Sequence, residues 1–199
     1  MPAAYTSKER QTVLERLREA GRARFSHFGI TKTTVSELTR DAGIAKGTFY
    51  KFFASKEALY IDVIHGLEGA FRQQLLDETD ALKHDPSAML RRFFALQLEI
   101  IDANPLLAPM TDPEQLHALF RKLPPEVLAP EQTRDAEFLG GLWGGWVADG
   151  LVVSVDFALI AGLCHALLGI RHERPYMGDI YPRVIDATID GYVLQLAIA

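Results

Sequence analysis

Apolar residues recur at three- and four-residue spacing along most of this chain, and almost nowhere do they alternate with polar ones. Val13, Leu14, Leu17, Ala20, Phe25 and Phe28 make one helical stripe, and Thr6 with Glu9 three residues on has the spacing of a capping box. A first helix is predicted from Ser7 to about Phe28, ended by Gly29. Thr34 and Glu37 repeat the capping box and open a short helix with Val35, Leu38 and Ala42 facing inward, closed by Gly43. Ile44, Phe49, Phe52 and Phe53 then demand a third helix beginning near Ala45, before Ser55 caps a fourth that runs from Lys56 to about Leu82. Two short helices joined by a tight glycine turn have the geometry of a helix-turn-helix.

Downstream, Asp85-Pro86 and Asp112-Pro113 each place a capping carboxylate before a proline, which is pre-set for the first helical position. Pro105, Pro109, Pro124, Pro125 and Pro130 punctuate the gaps, so helices are expected near 86–103, 113–122 and 131–148. Ser154 is expected to cap a helix near 155–170, and Tyr181 to Ala197 forms the last. The result is an all-α chain of about nine helices: a three-helix head over residues 1–55 and a helical body over 56–199.

Charge divides the chain in the same place. Residues 1–60 hold 11 Lys/Arg against 6 Asp/Glu, and the remainder 10 against 20, which together give the formal net charge of -5. A basic head suits a polyanion, and an acidic body opposes indiscriminate sticking. The single cysteine, Cys164, rules out an intramolecular disulfide and a cysteine metal cluster. Residues 1–24 are too charged to be a secretory signal. The longest apolar run, Phe157 to Ile170, is shorter than the ~20 residues of a spanning helix. A cytoplasmic protein with no membrane association is the expectation. Cys164 and His165 are adjacent and point in different directions on a helix. No paired carboxylates, metal-ligand spacing or phosphate-binding glycine loop accompany them, so no catalytic residue, metal or cofactor is expected.

The segment Gly43-Ile-Ala-Lys-Gly-Thr-Phe-Tyr-Lys-Phe-Phe-Ala-Ser-Lys-Glu-Ala-Leu-Tyr60 resembles the signature of the TetR/AcrR family of bacterial transcriptional regulators. The likeness is strong over residues 7–65, and elsewhere rests on the layout of helices. Beside it stands a physical reading. Phe49 and Phe53 are core positions, while Lys46, Thr48, Tyr50 and Lys51 project from the other face with donors for phosphates and base edges. Gly47 permits close approach of a partner or of DNA. Thr33, Thr34 and Lys56, at helix starts, are expected to anchor phosphates. Ala45 stands where the family more often has a serine or threonine, so a capping hydroxyl is lost.

The resemblance implies a body that dimerises through its last two helices and holds a small effector. Phe157 to Ile170 is apolar nearly all round, which requires cover on both sides, by a partner subunit or by the protomer's own core. The interface is expected to include Phe157, Ile160, Cys164, Leu167, Ile185, Ile189, Tyr192, Val193 and Leu196. Phe138-Leu-Gly-Gly-Leu-Trp-Gly-Gly-Trp146 places four glycines in a helix at about 1 kcal/mol each relative to alanine. Tight packing would offset that, and so would a ligand against Trp143 and Trp146. Phe93, Gln97, Met110, His117, Phe120 and His165 complete the candidate lining of an apolar site with a few polar groups. The expected partners are double-stranded operator DNA, a second copy of the chain and a small, largely apolar effector. An adaptor whose body recruits a protein partner is the alternative.

Overall fold

A computed structural model describes residues 6–198 apart from 124, with the side chains at 110, 113, 125, 126 and 128–135 excepted. The fold is all-α. Among the described residues the helices are α1 (Ser7–Lys32), α2 (Val35–Asp41), α3 (Lys46–Phe49), α4 (Lys56–Asp80), α5 (Pro86–Ala103), α6 (Ala108–Thr111), α7 (Pro113–Phe120), α8 (Pro125–Ala148), α9 (Phe157–His172), α10 (Arg174–Met177) and α11 (Tyr181–Leu196). A lone antiparallel bridge joins Val152 to Ala197.

Both capping boxes form. Thr6 and Thr34 each accept from the backbone N–H three residues on, and Glu9 and Glu37 accept in return from the threonine N–H groups. Asp85 and Asp112 cap α5 and α7, and Ser55 accepts from the N–H of Ala58 in the first turn of α4. Three boundaries differ from the sequence expectation. Gly29 kinks α1 instead of ending it: at φ 73 it is non-helical, and the chain resumes helical hydrogen bonding as far as Lys32. Asp156, not Ser154, caps α9, because its carboxylate reaches the N–H of Ala158 while Val152 is held in the bridge. Helix α8 starts at Pro125 and passes through Pro130, since a proline in the second turn removes one backbone bond without forcing the helix to stop.

The chain divides into two compact units, Met1–Gly69 with Asn104–Leu128, and Ala70–Ala103 with Ala129–Ala199. The segment after α5 packs on the head. The first core gathers Leu17, Phe25, Leu38, Phe49 and Phe53 with Leu59, Ile61, Leu106 and Leu119. The Tyr60 hydroxyl donates to the Leu106 carbonyl inside it. The second core gathers Leu90, Phe93, Phe94 and Leu96 of α5 with Trp143 and Trp146 of α8, Ile160 and Leu167 of α9, and Ile185, Ile189 and Val193 of α11. Among the described residues no helix is long and apolar enough to cross a membrane.

Candidate nucleic-acid interface

Helices α1 and α2 are locked by one arginine. Arg24 donates from Nε to Asp41 at 2.5 Å and from Nη1 to Glu37 at 3.1 Å. The hydrogen bonds from Thr34 and the charge of Arg24 hold the Glu37 carboxyl below the usual carboxylate range, and Arg24 does the same for Asp41. A fork of two bonds from Arg18 to Asp62, at 2.7 and 2.8 Å, ties α1 to α4. Gly43 supplies φ 65 at the turn, a conformation that L side chains rarely adopt, and the chain re-enters a helix at Lys46. Ala45 makes no side-chain cap to α3, as the loss of the hydroxyl requires.

Helix α3 is a single turn, and Tyr50 closes it with its own N–H on the Thr48 carbonyl, so Tyr50 and Lys51 stand in the turn that follows. Phe49 is fully buried and packs on Phe53. The other side of this segment is open: Lys46, Gly47 and Lys51 are exposed, Thr48 is half-buried, and Tyr50 is 54% exposed with its ring edge-on to Phe49. A Cβ on Gly47 would meet nothing within 4 Å among the described residues, so the fold itself does not require glycine there. Lys32 and Arg40 are exposed cations on the same head. They were not singled out above, because a charge on a helix end reads the same whether it faces solvent or a ligand.

Two expected phosphate anchors have partners within the chain. Lys56 turns inward: its Nζ donates to the carbonyls of Ile30 and Thr33 at 2.6 Å each, and to Thr31 at 3.4 Å. It therefore caps the C-terminal end of α1, whose last carbonyls have no partner within the helix. It also borders a cavity of about 100 Å³ together with Ile30, Glu57, Gln115, Leu119 and Lys122. Burial pulls its pKa below the ordinary value, while the three carbonyls favour the charged form. Thr33 is 1% exposed and donates its hydroxyl to the Gly29 carbonyl, bracing the kink. Thr34 stays exposed, with its hydroxyl and N–H both donated to Glu37.

A family model for bacterial regulatory proteins of the tetR family matches residues 17–63, which are the elements just described. The chain carries the DNA-binding region of the tetR family over these residues. It is a DNA-binding transcription regulator with a helix-turn-helix, not an enzyme. The HTH-type transcriptional regulator RutR of Escherichia coli is 29% identical over 170 residues, covering 80% of this chain and 71% of RutR. Among solved structures, FadR of Thermus thermophilus, a TetR-family transcriptional repressor in complex with lauroyl-CoA, superposes with a TM-score of 0.55 at 23% identity, covering 91% of each chain. FadR of Bacillus subtilis, in complex with stearoyl-CoA, gives 0.53 at 16% identity, covering 90% of this chain and 97% of that one.

The regulator's candidate effector residues do not form one set. Phe93, Trp143 and Trp146 are buried together in the second unit. The Phe93 and Trp146 rings lie 5.4 Å apart and edge-on, and Gln97 donates to the Phe93 carbonyl. Phe120 packs instead on the core of the first unit, and His117 and His165 are solvent-exposed on their helices. The Met110 side chain lies outside the described residues. Of the four glycines of α8, a Cβ added at Gly140 would lie 3.6 Å from the Phe157 ring, while at Gly141, Gly144 and Gly145, which are exposed, it would meet nothing within 4 Å among the described residues. A contact of 3.6 Å is ordinary van der Waals packing, so a Cβ would fit at all four positions among the described residues.

The expected interface residues all take part in the second unit's core. Ile160, Leu167, Ile185, Ile189, Val193 and Leu196 are buried in the protomer's own core, and Phe157, Cys164 and Tyr192 pack against it. Both helices are apolar on more than one side, and α5 and α8 take the side that the sequence pattern marked most strongly. The outer side of α9 carries Leu159, Ala161, Gly162, His165, Ala166 and Gly169 at the surface, and that of α11 carries Ala187, Gly191 and Leu194, the last 82% exposed.

Proposed function

We propose that this regulator is a homodimeric repressor that binds a near-palindromic operator and is released from it by a small, largely apolar effector held in its second unit. The observation that carries the reading is the open side of the α3 segment. A glycine in a helix costs about 1 kcal/mol relative to alanine, and here no described neighbour occupies the space beside Gly47. Close approach of the DNA backbone accounts for it. Lys46 and Lys51 then neutralise phosphates, and Thr48 and Tyr50 meet base edges or sugar.

Dimerisation is supported by the outer sides of α9 and α11. Leu159, Ile180 and Leu194 are large apolar side chains at the surface, set among glycines and alanines that let helices approach closely. A groove of about 560 Å³ lined by Ile180, Arg183, Val184, Ala187 and Thr188 runs along α11 on this side. Effector control is supported by the aromatic interior of the second unit and by the acyl-CoA complexes of the two FadR proteins. A near-complete switch requires the effector to prefer the DNA-incompetent state by about 5.5 kcal/mol.

Selection of sites from a random DNA pool by the purified full chain, repeated across salt concentrations, tests the reading, with size-exclusion of the free protein alongside. Recovery of a two-fold-symmetric site by a dimer supports it. A monomer, or no enrichment at any salt, overturns it.

A further inference from the structure

The indole N–H groups of Trp143 and Trp146 are both buried, with the residues 4% and 1% exposed, and neither has a hydrogen-bond partner among the described residues. Indole is a donor only, and a buried donor left unpaired forfeits its bond to water without replacement. The two rings are one helical turn apart on α8, with centroids 5.9 Å from each other, and the second lies edge-on to Phe93. The two unpaired donors therefore lie close together in the core of the second unit. A carbonyl oxygen carries two lone pairs, one for each indole.

The surroundings fix the charge of the guest. Among the described residues of this unit the buried polar side chain is Thr79, whose hydroxyl donates to the Leu75 carbonyl, and no buried Lys or Arg accompanies it. Cys164, beside Gln97, is a neutral thiol, pushed up to about 11 by burial. A carboxylate entering this core would lose its hydration with no cation to meet it, whereas a ketone or ester oxygen needs donors alone.

We infer that Trp143 and Trp146 are the specificity-determining donors of the effector site, and that the guest they select is an uncharged apolar molecule bearing a carbonyl oxygen. This rests on the reading of the second unit as the effector domain. It adds the chemical class of the effector and the two atoms that recognise it.

The chain has two tryptophans, so ¹⁵N-labelled full-length protein shows two indole N–H signals, and each can be followed directly. Titration with acetophenone should move both signals downfield. Ethylbenzene, of similar shape without the acceptor, should bind about a hundredfold more weakly and leave them in place, as two lost hydrogen bonds imply. Benzoate should not bind. In Trp143→Phe and Trp146→Phe the ring remains and the donor is removed, so acetophenone affinity should fall about tenfold in each while ethylbenzene affinity is unchanged.

Equal binding of acetophenone and ethylbenzene, or indole signals unmoved by acetophenone up to its solubility limit, overturns the inference. The wild-type signals decide this even if a variant fails to fold. Operator binding is measured separately. A ketone that moves both signals without releasing DNA leaves the site assignment standing and refutes effector control, and failure to select DNA refutes the DNA-binding reading alone.

Discussion

Replacing Lys56 by methionine separates two roles that this residue could have. Methionine keeps most of the aliphatic stem and removes the ammonium, so packing changes little. Two carbonyls at 2.6 Å, those of Ile30 and Thr33, lose their charged donor, and a third at 3.4 Å loses a weaker one. Hydrogen bonds to charged groups contribute roughly 1.5–3 kcal/mol each. Water can reach this half-buried site and replace part of the loss, so a net destabilisation of about 2 kcal/mol is expected. For a chain of this length that lowers the melting temperature by about 4–8 °C. The assay pairs thermal unfolding with operator affinity measured from low to high salt. If Lys56 caps α1, stability falls while the slope of log affinity against log salt stays at its wild-type value. A phosphate anchor would give the reverse, unchanged stability and a slope reduced by about one per lost contact. That second pattern would refute the assignment.

Four further outcomes are expected. Tyr50→Ala combined with Lys51→Ala should weaken operator binding at least tenfold while the protein stays folded; unchanged affinity in a filter or gel-shift titration would remove them from the contact set. Thr34→Ala should destabilise the head by about 1 kcal/mol through loss of the α2 cap, read by thermal or urea unfolding. Gly141→Ala and Gly145→Ala should each raise stability by about 0.5–1 kcal/mol, because a Cβ there meets nothing within 4 Å, whereas Gly43→Ala at φ 65 should lower it. The depressed carboxyls of Glu37 and Asp41 contribute stability that is present above their unfolded pKa values and is lost as pH falls through the folded ones; urea midpoints from pH 7 to pH 2 should drop below the ordinary carboxylate range, and less steeply in Arg24→Met.

What the sequence determined by itself is local. Capping boxes at Thr6 and Thr34, the glycine turn at Gly43 and the spacing of Phe49, Phe52 and Phe53 involve residues within four positions of one another. Helix periodicity and capping chemistry are enough to read them. The exposed set Lys46, Gly47, Tyr50 and Lys51 was legible for the same reason, because Phe49 fixes which side of its turn is inward. Tertiary structure decided whatever depends on a partner far along the chain. Lys56 stands at a helix start that faces the end of α1, some 25 residues earlier, and its ammonium reaches the carbonyls there. Helices α9 and α11 are apolar on more than one side, so their periodicity alone could not say which side α5 and α8 would cover and which would stay at the surface. The tryptophans of α8 could be read as large flat surfaces. That both would be buried with their N–H groups unpaired follows from the helices packed around them, none of which offers a described acceptor within reach.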